Sequence, residues 1–160
     1  MSAPLFALTL AAALGCGAMG GVFYAFSSFV MSALRRLPAA QGIAAMQSIN
    51  VVAVTPPFMI PLFGTALACV ALIVAAVATW GEPFAPWLLA GGVVYLLGEI
   101  AVTMAYNVPR NDELARLDPD SADAAARWPG WAAEWTAGNH VRSAAGVAAT
   151  GALSIALHLA

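Results

Sequence analysis

The stretch WLLAGGVVYLLGEIAVTMAY, Trp87–Tyr106, decides the fold. It carries a single charged side chain, Glu99. A bilayer core of ~30 Å takes about 20 helical residues to cross, which is the length of this run. The pattern recurs on both sides of it. Residues 1–34 and 37–81 are uncharged, with Arg35 and Arg36 between them, and residues 143–160 are uncharged again. Ten of the fourteen charged side chains fall between Arg110 and Arg142.

This spacing predicts a single all-α domain, a polytopic membrane protein folded as an antiparallel four-transmembrane-helix bundle. The spans are expected at residues 4–31, 57–79, 87–106 and 139–159. Composition agrees: 62 % of residues are hydrophobic and 9 % charged, against ~25 % charged in a soluble domain. Mean hydropathy is +0.84. Such apolarity excludes a disordered chain. Two cysteines in apolar runs, Cys16 and Cys69, exclude a disulfide scaffold and stand alone in the sequence. Six Arg, no Lys and a net charge of −2 leave no footprint for nucleic acid. The first apolar run lacks a basic leader and continues to Val30, so cleavage as a signal peptide is not expected.

Arg35, Arg36, Arg110, Arg116 and Arg127 sit in the first and third connections. The positive-inside rule then puts those loops in the cytoplasm and both termini outside, in a membrane of the bacterial inner type. Helices 2 and 4 are expected to extend past the bilayer on that side. Residues 38–54 form a helical lead-in with a kink at Pro56-Pro57, and the fourth helix begins near Pro129. Residues 110–130 read as a polar loop, with Ser121 capping a short Ala-rich helix.

Polar residues inside these runs need partners, because an unpaired polar group is costly in lipid. Glu99, Thr103, Tyr106 and Arg110 share one helical face, as do Trp131, Trp135, Asn139 and Arg142. Glu99 is therefore expected to meet Arg142 as a buried pair or in a shared hydrogen-bond network, serving either structure or proton transfer. Glu99, Asn107, Asn139, His140 and Arg142, with Tyr24 and Asn50, fall in one layer of the half nearer the Arg-bearing loops. That clustering predicts a shared cavity. His140 and His158 lie five helical turns apart, too far to share a metal, and no metal, haem, flavin or nucleotide motif occurs.

Four ordered segments carry a resemblance. They are GGVFYAFSSFVM (Gly20–Met31), QGIAAMQSIN (Gln41–Asn50), NVPRNDEL (Asn107–Leu114), and Trp135 with Asn139 and Arg142. In these the chain resembles the anthrone oxygenase-like family of small four-helix membrane proteins. The resemblance implies oxidation of an anthrone to an anthraquinone by O2 with no cofactor. It marks Asn50, Asn107, Asn111, Asn139 and Arg142 as matching positions.

The reading that follows is a membrane-embedded, cofactor-independent oxygenase of an apolar aromatic. Its partners are the lipid bilayer, a small flat aromatic ligand and O2. Glu99, His140 and Arg142 are the expected catalytic groups. Tyr24, Asn50, Thr103, Asn107, Asn111, Trp135 and Asn139 are expected to bind substrate. The alternative is a non-enzymatic membrane protein that binds a lipid or quinone or supports a partner complex. Transport ranks lower, because the Pro56-Pro57-Pro61 cluster has no counterpart on the fourth helix. Orientation is testable directly. A cysteine at Ser121 should react with an impermeant maleimide in inverted vesicles and not in intact cells; labelling in intact cells would reverse the assignment.

Overall fold

The structure is a computed structural model covering all residues, Met1–Ala160. It is all-α, and three helices are long and apolar enough to cross a membrane: α1 (Ala3–Leu34), α3 (Pro56–Ala78) and α4 (Ala85–Ala115). A shorter helix, α2 (Ala39–Ala53), joins the first two, and α5 (Ala122–His158) closes the chain.

Proline and hydroxyl residues set the boundaries. Pro4 and the Pro56-Pro57 pair occupy first-turn positions, where no intrahelical N–H is needed. Instead of a kink at Pro56-Pro57 there is a full break, with Thr55 extended at the N-cap of α3. The proline pre-organises a helix start and biases the residue before it away from helix. Ser121 accepts from the Ala124 N–H at 3.2 Å and caps the whole of α5 rather than a short helix. α5 passes through Pro129 without interruption and so begins well before the expected point. α4 likewise runs through Pro109 to Ala115. The polar stretch 110–130 is thus mostly helical, with a turn only at residues 116–121.

Three π-helical turns interrupt the long helices: Phe26–Val30 in α1, and Leu96–Ala101 and Thr103–Asn107 in α4. The last lies just ahead of Pro109. Its widened hydrogen-bonding pattern gives the chain room to continue past a residue that cannot donate. All three fall in the layer that holds Ser27, Glu99, Thr103 and Asn107.

Packing turns on small residues. α1 and α5 pass closest at Gly20 and Gly146, where a Cβ on Gly20 would lie 3.1 Å from the Gly146 backbone. Gly17 faces Thr150 along the same seam. Gly91 and Gly98 of α4 meet Leu153 and Ala145 of α5. In both seams rising numbers on one helix meet falling numbers on the other, so α5 runs antiparallel to α1 and to α4. Two apolar cores result. One fills the centre, with Cys16, Phe23, Leu62, Leu72, Leu88, Tyr95 and Leu153. The other lies at the end bearing the Arg-rich connections, with Met31, Ile43, Met46, Leu114, Trp128, Trp131 and Trp135.

A Cβ on Gly146 would strike the Glu99 carboxylate and approach the Gly20 Cα at 2.6 Å. Overpacking of this kind costs about 1–3 kcal/mol. Gly146→Ala should therefore lower the melting temperature in detergent. Gly151→Ala, with open space around it, should be neutral or gain up to ~1 kcal/mol from helix propensity.

Candidate functional site

A cavity of about 580 Å³ lies between the central core and the Trp-rich core. Small-molecule sites span roughly 300–1,000 Å³. All five helices contribute to its wall. Phe23 and Phe26 come from α1, Met46, Ile49 and Asn50 from α2, Phe58 and Leu62 from α3, Thr103 and Asn111 from α4, and Trp135 and Arg142 from α5. The wall is mostly aromatic and aliphatic with a few neutral polar side chains, and Arg142 is its one formal charge.

Arg142 is 5 % exposed. Its Nη2 donates to Asn139 Oδ1 at 2.7 Å and its Nη1 to Thr103 Oγ1 at 3.3 Å, while Nε has no protein partner. The guanidinium lies 4.2 Å from the Phe23 ring centroid and 5.1 Å from that of Trp135. Aromatic faces attract a cation but do not neutralise it. Asn139 fixes this geometry from behind. Its Nδ2 donates to the Phe23 carbonyl at 2.6 Å and to Ser27 Oγ at 2.7 Å, tying α5 to the π turn of α1.

The expected Glu99–Arg142 ion pair is not formed. All ion pairs of the chain involve Arg110, Arg127, Glu113 and Glu134. The reason is axial. Arg142 leans toward the start of α5, as helical side chains do, and is captured by Asn139. Glu99 instead packs against Gly146, one turn the other way, fully buried with neither carboxylate oxygen hydrogen-bonded. Tyr95, one turn from Glu99, gives its hydroxyl to the Leu62 carbonyl at 3.0 Å.

Of the ten sequence-selected residues, the cavity wall gathers Asn50, Thr103, Asn111, Trp135 and Arg142. Asn107 and Asn139 are buried behind it, Asn107 donating to the Trp135 carbonyl at 3.1 Å. Tyr24 and His140 line a different, outward-facing groove between α1 and α5, with Ser27, Ser28 and Ser143. His140 departs from Asn139 by ~100° around α5, which is enough to turn it from the interior to the outside. Sequence reading did not select the apolar wall from Met46, Ile49, Phe58 and Leu62. These residues look like ordinary core, and no periodicity separates a cavity wall from a packed one.

The end of the cavity toward the Arg-rich connections is closed by hydrogen-bonded tryptophans. Trp135 Nε1 donates to Asn111 Oδ1 and Trp131 Nε1 to the Arg110 carbonyl, both at 2.8 Å. Trp128, Trp131 and Trp135 stack in sequence. Gln47 of α2 donates to the Leu114 and Leu117 carbonyls at 2.9 and 3.0 Å, holding α2 over the end of α4. Outside this layer Arg127 bridges Glu113 at 2.6 Å and Glu134 at 3.0 Å. The two carboxylates raise the Arg127 pKa, and the guanidinium holds Glu134 below the usual carboxylate range.

A largely apolar cavity that presents a buried guanidinium with no carboxylate in salt-bridge contact has the size and lining of a small-molecule site in a helical membrane protein. The chain belongs to the anthrone oxygenase family, whose family model matches residues 58–152. That range contains all eight of the sequence-selected residues on α4 and α5, His140 among them, and leaves out α1, α2, the first two residues of α3 and the end of α5. No curated protein and no solved structure matches the chain.

The outer clamp has a pH sign. A carboxylate whose folded pKa is depressed adds stability above its unfolded pKa and loses it as pH falls through the folded value. The Arg127–Glu134 contact should therefore persist at neutral pH and release only in acid, below the ordinary carboxylate range. Tryptophan fluorescence should shift in that acid window, and Glu134→Gln should abolish that part of the transition.

Proposed function

We propose that this protein is a membrane-embedded oxygenase that converts an anthrone-like apolar aromatic to the quinone with O2 and without a resident cofactor. The observation that carries this reading is Arg142. It is a buried cation with no paired carboxylate, presented to a cavity whose other walls are mostly aromatic and aliphatic and otherwise uncharged.

An anthrone holds a methylene between two aryl rings, in equilibrium with its phenol tautomer. Loss of one proton gives a delocalised anion, and a preorganised donor beside the oxygen favours that anion. The Arg142 guanidinium fills this role, held by Asn139 and Thr103, while Phe23, Phe26 and Trp135 offer ring faces. The electron-rich anion reduces O2 and forms a C–O bond at the former methylene, giving a peroxide. The O–O bond then breaks as the second methylene proton leaves. One oxygen atom becomes the new carbonyl, and the other departs as water with both methylene protons. Exclusion of bulk water by the Trp-rich cap strengthens the Arg142–anion contact. Asn50 and Asn111 are suited to orient the distal ring oxygens. Glu99 lies behind the wall, one turn from Thr103, with no hydrogen bond to the Arg142 guanidinium.

In the bilayer we propose four crossings, the last formed by the C-terminal half of α5. Both termini face outward and the Arg-bearing connections face the cytoplasm of a bacterial-type inner membrane. The cavity then sits in the cytoplasmic half, where a poorly soluble polycyclic molecule partitions.

The test is oxygen uptake and quinone absorbance with an added anthrone, using protein in nanodiscs. Arg142→Met should reduce kcat by ~10²–10³, the usual cost of losing an oxyanion donor. Arg142→Lys should recover only part, because a lysine cannot keep the forked contacts to Asn139 and Thr103. Ligand binding with no oxygen uptake would favour a non-enzymatic quinone- or lipid-binding protein.

A further inference from the structure

Cys16 and Cys69 are 53 residues apart in a pattern that signals nothing in sequence. In the fold their Sγ atoms lie 4.0 Å apart, and both residues are 0 % exposed. Each thiol has the other as its hydrogen-bonding partner. The backbones around them are drawn together by glycine. Any side chain on Gly15, next to Cys16, would strike Thr65, which sits one turn before Cys69 on the same face of α3. A Cβ on Gly92 of α4 would lie 2.9 Å from the Cys69 carbonyl. The thiols are thus pinned face to face between α1 and α3 in the central core.

We propose that Cys16 and Cys69 form a redox-convertible dithiol that closes to a disulfide between α1 and α3 when hydrogen peroxide reaches the bundle interior. The inference does not depend on the oxygenase reading. Closure requires the sulfurs to approach from 4.0 Å to ~2.05 Å. The oxidant class follows from burial. A charged or bulky disulfide reagent cannot reach a pair with no exposed surface, whereas a small uncharged peroxide can.

The chemistry balances. One thiol gives up its proton and attacks a peroxide oxygen; the O–O bond breaks, leaving a sulfenic acid and one water. The second thiol attacks that sulfur, its proton leaves with the hydroxyl as a second water, and the S–S bond forms. Two thiols are oxidised by two electrons and one peroxide is reduced.

The bond would fix the spacing of two helices that also wall the cavity. Phe23 lies two turns beyond Cys16 on α1, and Leu62 two turns before Cys69 on α3, so both are ~10 Å along the axis from the cross-link.

The test is intact-mass spectrometry of the purified chain in nanodiscs after hydrogen peroxide, followed by denaturation and alkylation with N-ethylmaleimide. Untreated protein should take two labels. Peroxide-treated protein should take none and weigh about 2 Da less than the untreated, unlabelled chain, and dithiothreitol after denaturation should restore both labels. The oxidised protein should also melt at a higher temperature, a shift that Cys16→Ser and Cys69→Ser each abolish. The wild-type mass measurement decides the question even if a serine variant folds poorly. Three results would overturn the proposal: two free thiols persisting when methionines are already oxidised, loss of both thiols to sulfinic acids that dithiothreitol does not reverse, or a bond formed only between separate chains.

Discussion

The passage of α1 across α5 at Gly20 and Gly146 sets the distances on which the rest of the structure depends. With no side chain on either residue the two backbones come into contact, and small residues are what permit this in an apolar bundle. That approach lets Asn139 reach the Phe23 carbonyl and Ser27 across the helix pair. It also leaves, beside Gly146, the one space in which the Glu99 carboxyl fits. Larger residues at this crossing would push α5 outward and remove both contacts together.

From that crossing the polar groups separate into two directions along the helix axis. Arg142 turns toward Asn139, Thr103 and the cavity, while Glu99 turns toward Gly146 and the central core. A direct pair between them would have neutralised the cation and left the cavity without charge. Keeping them apart costs desolvation on both sides, and the π turns of α1 and α4 fall in this same layer. Such turns frequently mark functional positions in helices. Aromatic contacts with Phe23 and Trp135 partly offset the burial of the guanidinium.

The cap shows a division of labour between apolar and polar contacts. Stacked tryptophans fill the space above the cavity, and the indole N–H groups of Trp131 and Trp135 bond to α4, so these two residues both exclude water and fix helix spacing. The Arg127 bridges lie further out and are partly solvated. Ion pairs of that kind contribute little alone, but here they join the last turns of α4 to the first turns of α5.

Much of this was legible in the sequence. Uncharged runs gave the apolar helices, and the 3.6-residue period put Thr103 on the face of Glu99 and gathered Trp131, Trp135, Asn139 and Arg142 on another. Asn50 and Asn111 could be chosen from the matching motifs and do line the cavity. Helix extents were less legible at Pro109, where a preceding π turn lets the chain continue, and at Pro129, which lies inside α5 and not at its start. Three further features were decided only by the tertiary structure. His140 and Tyr24 face an outer groove, Glu99 and Arg142 point opposite ways along the axis, and Cys16 meets Cys69. Sequence fixes the angle of a side chain around its own helix, since rise and turn per residue are constant. It does not fix the rotation and height of one helix against another. Those are set by which small residues allow contact, and here they follow from glycine meeting glycine between α1 and α5.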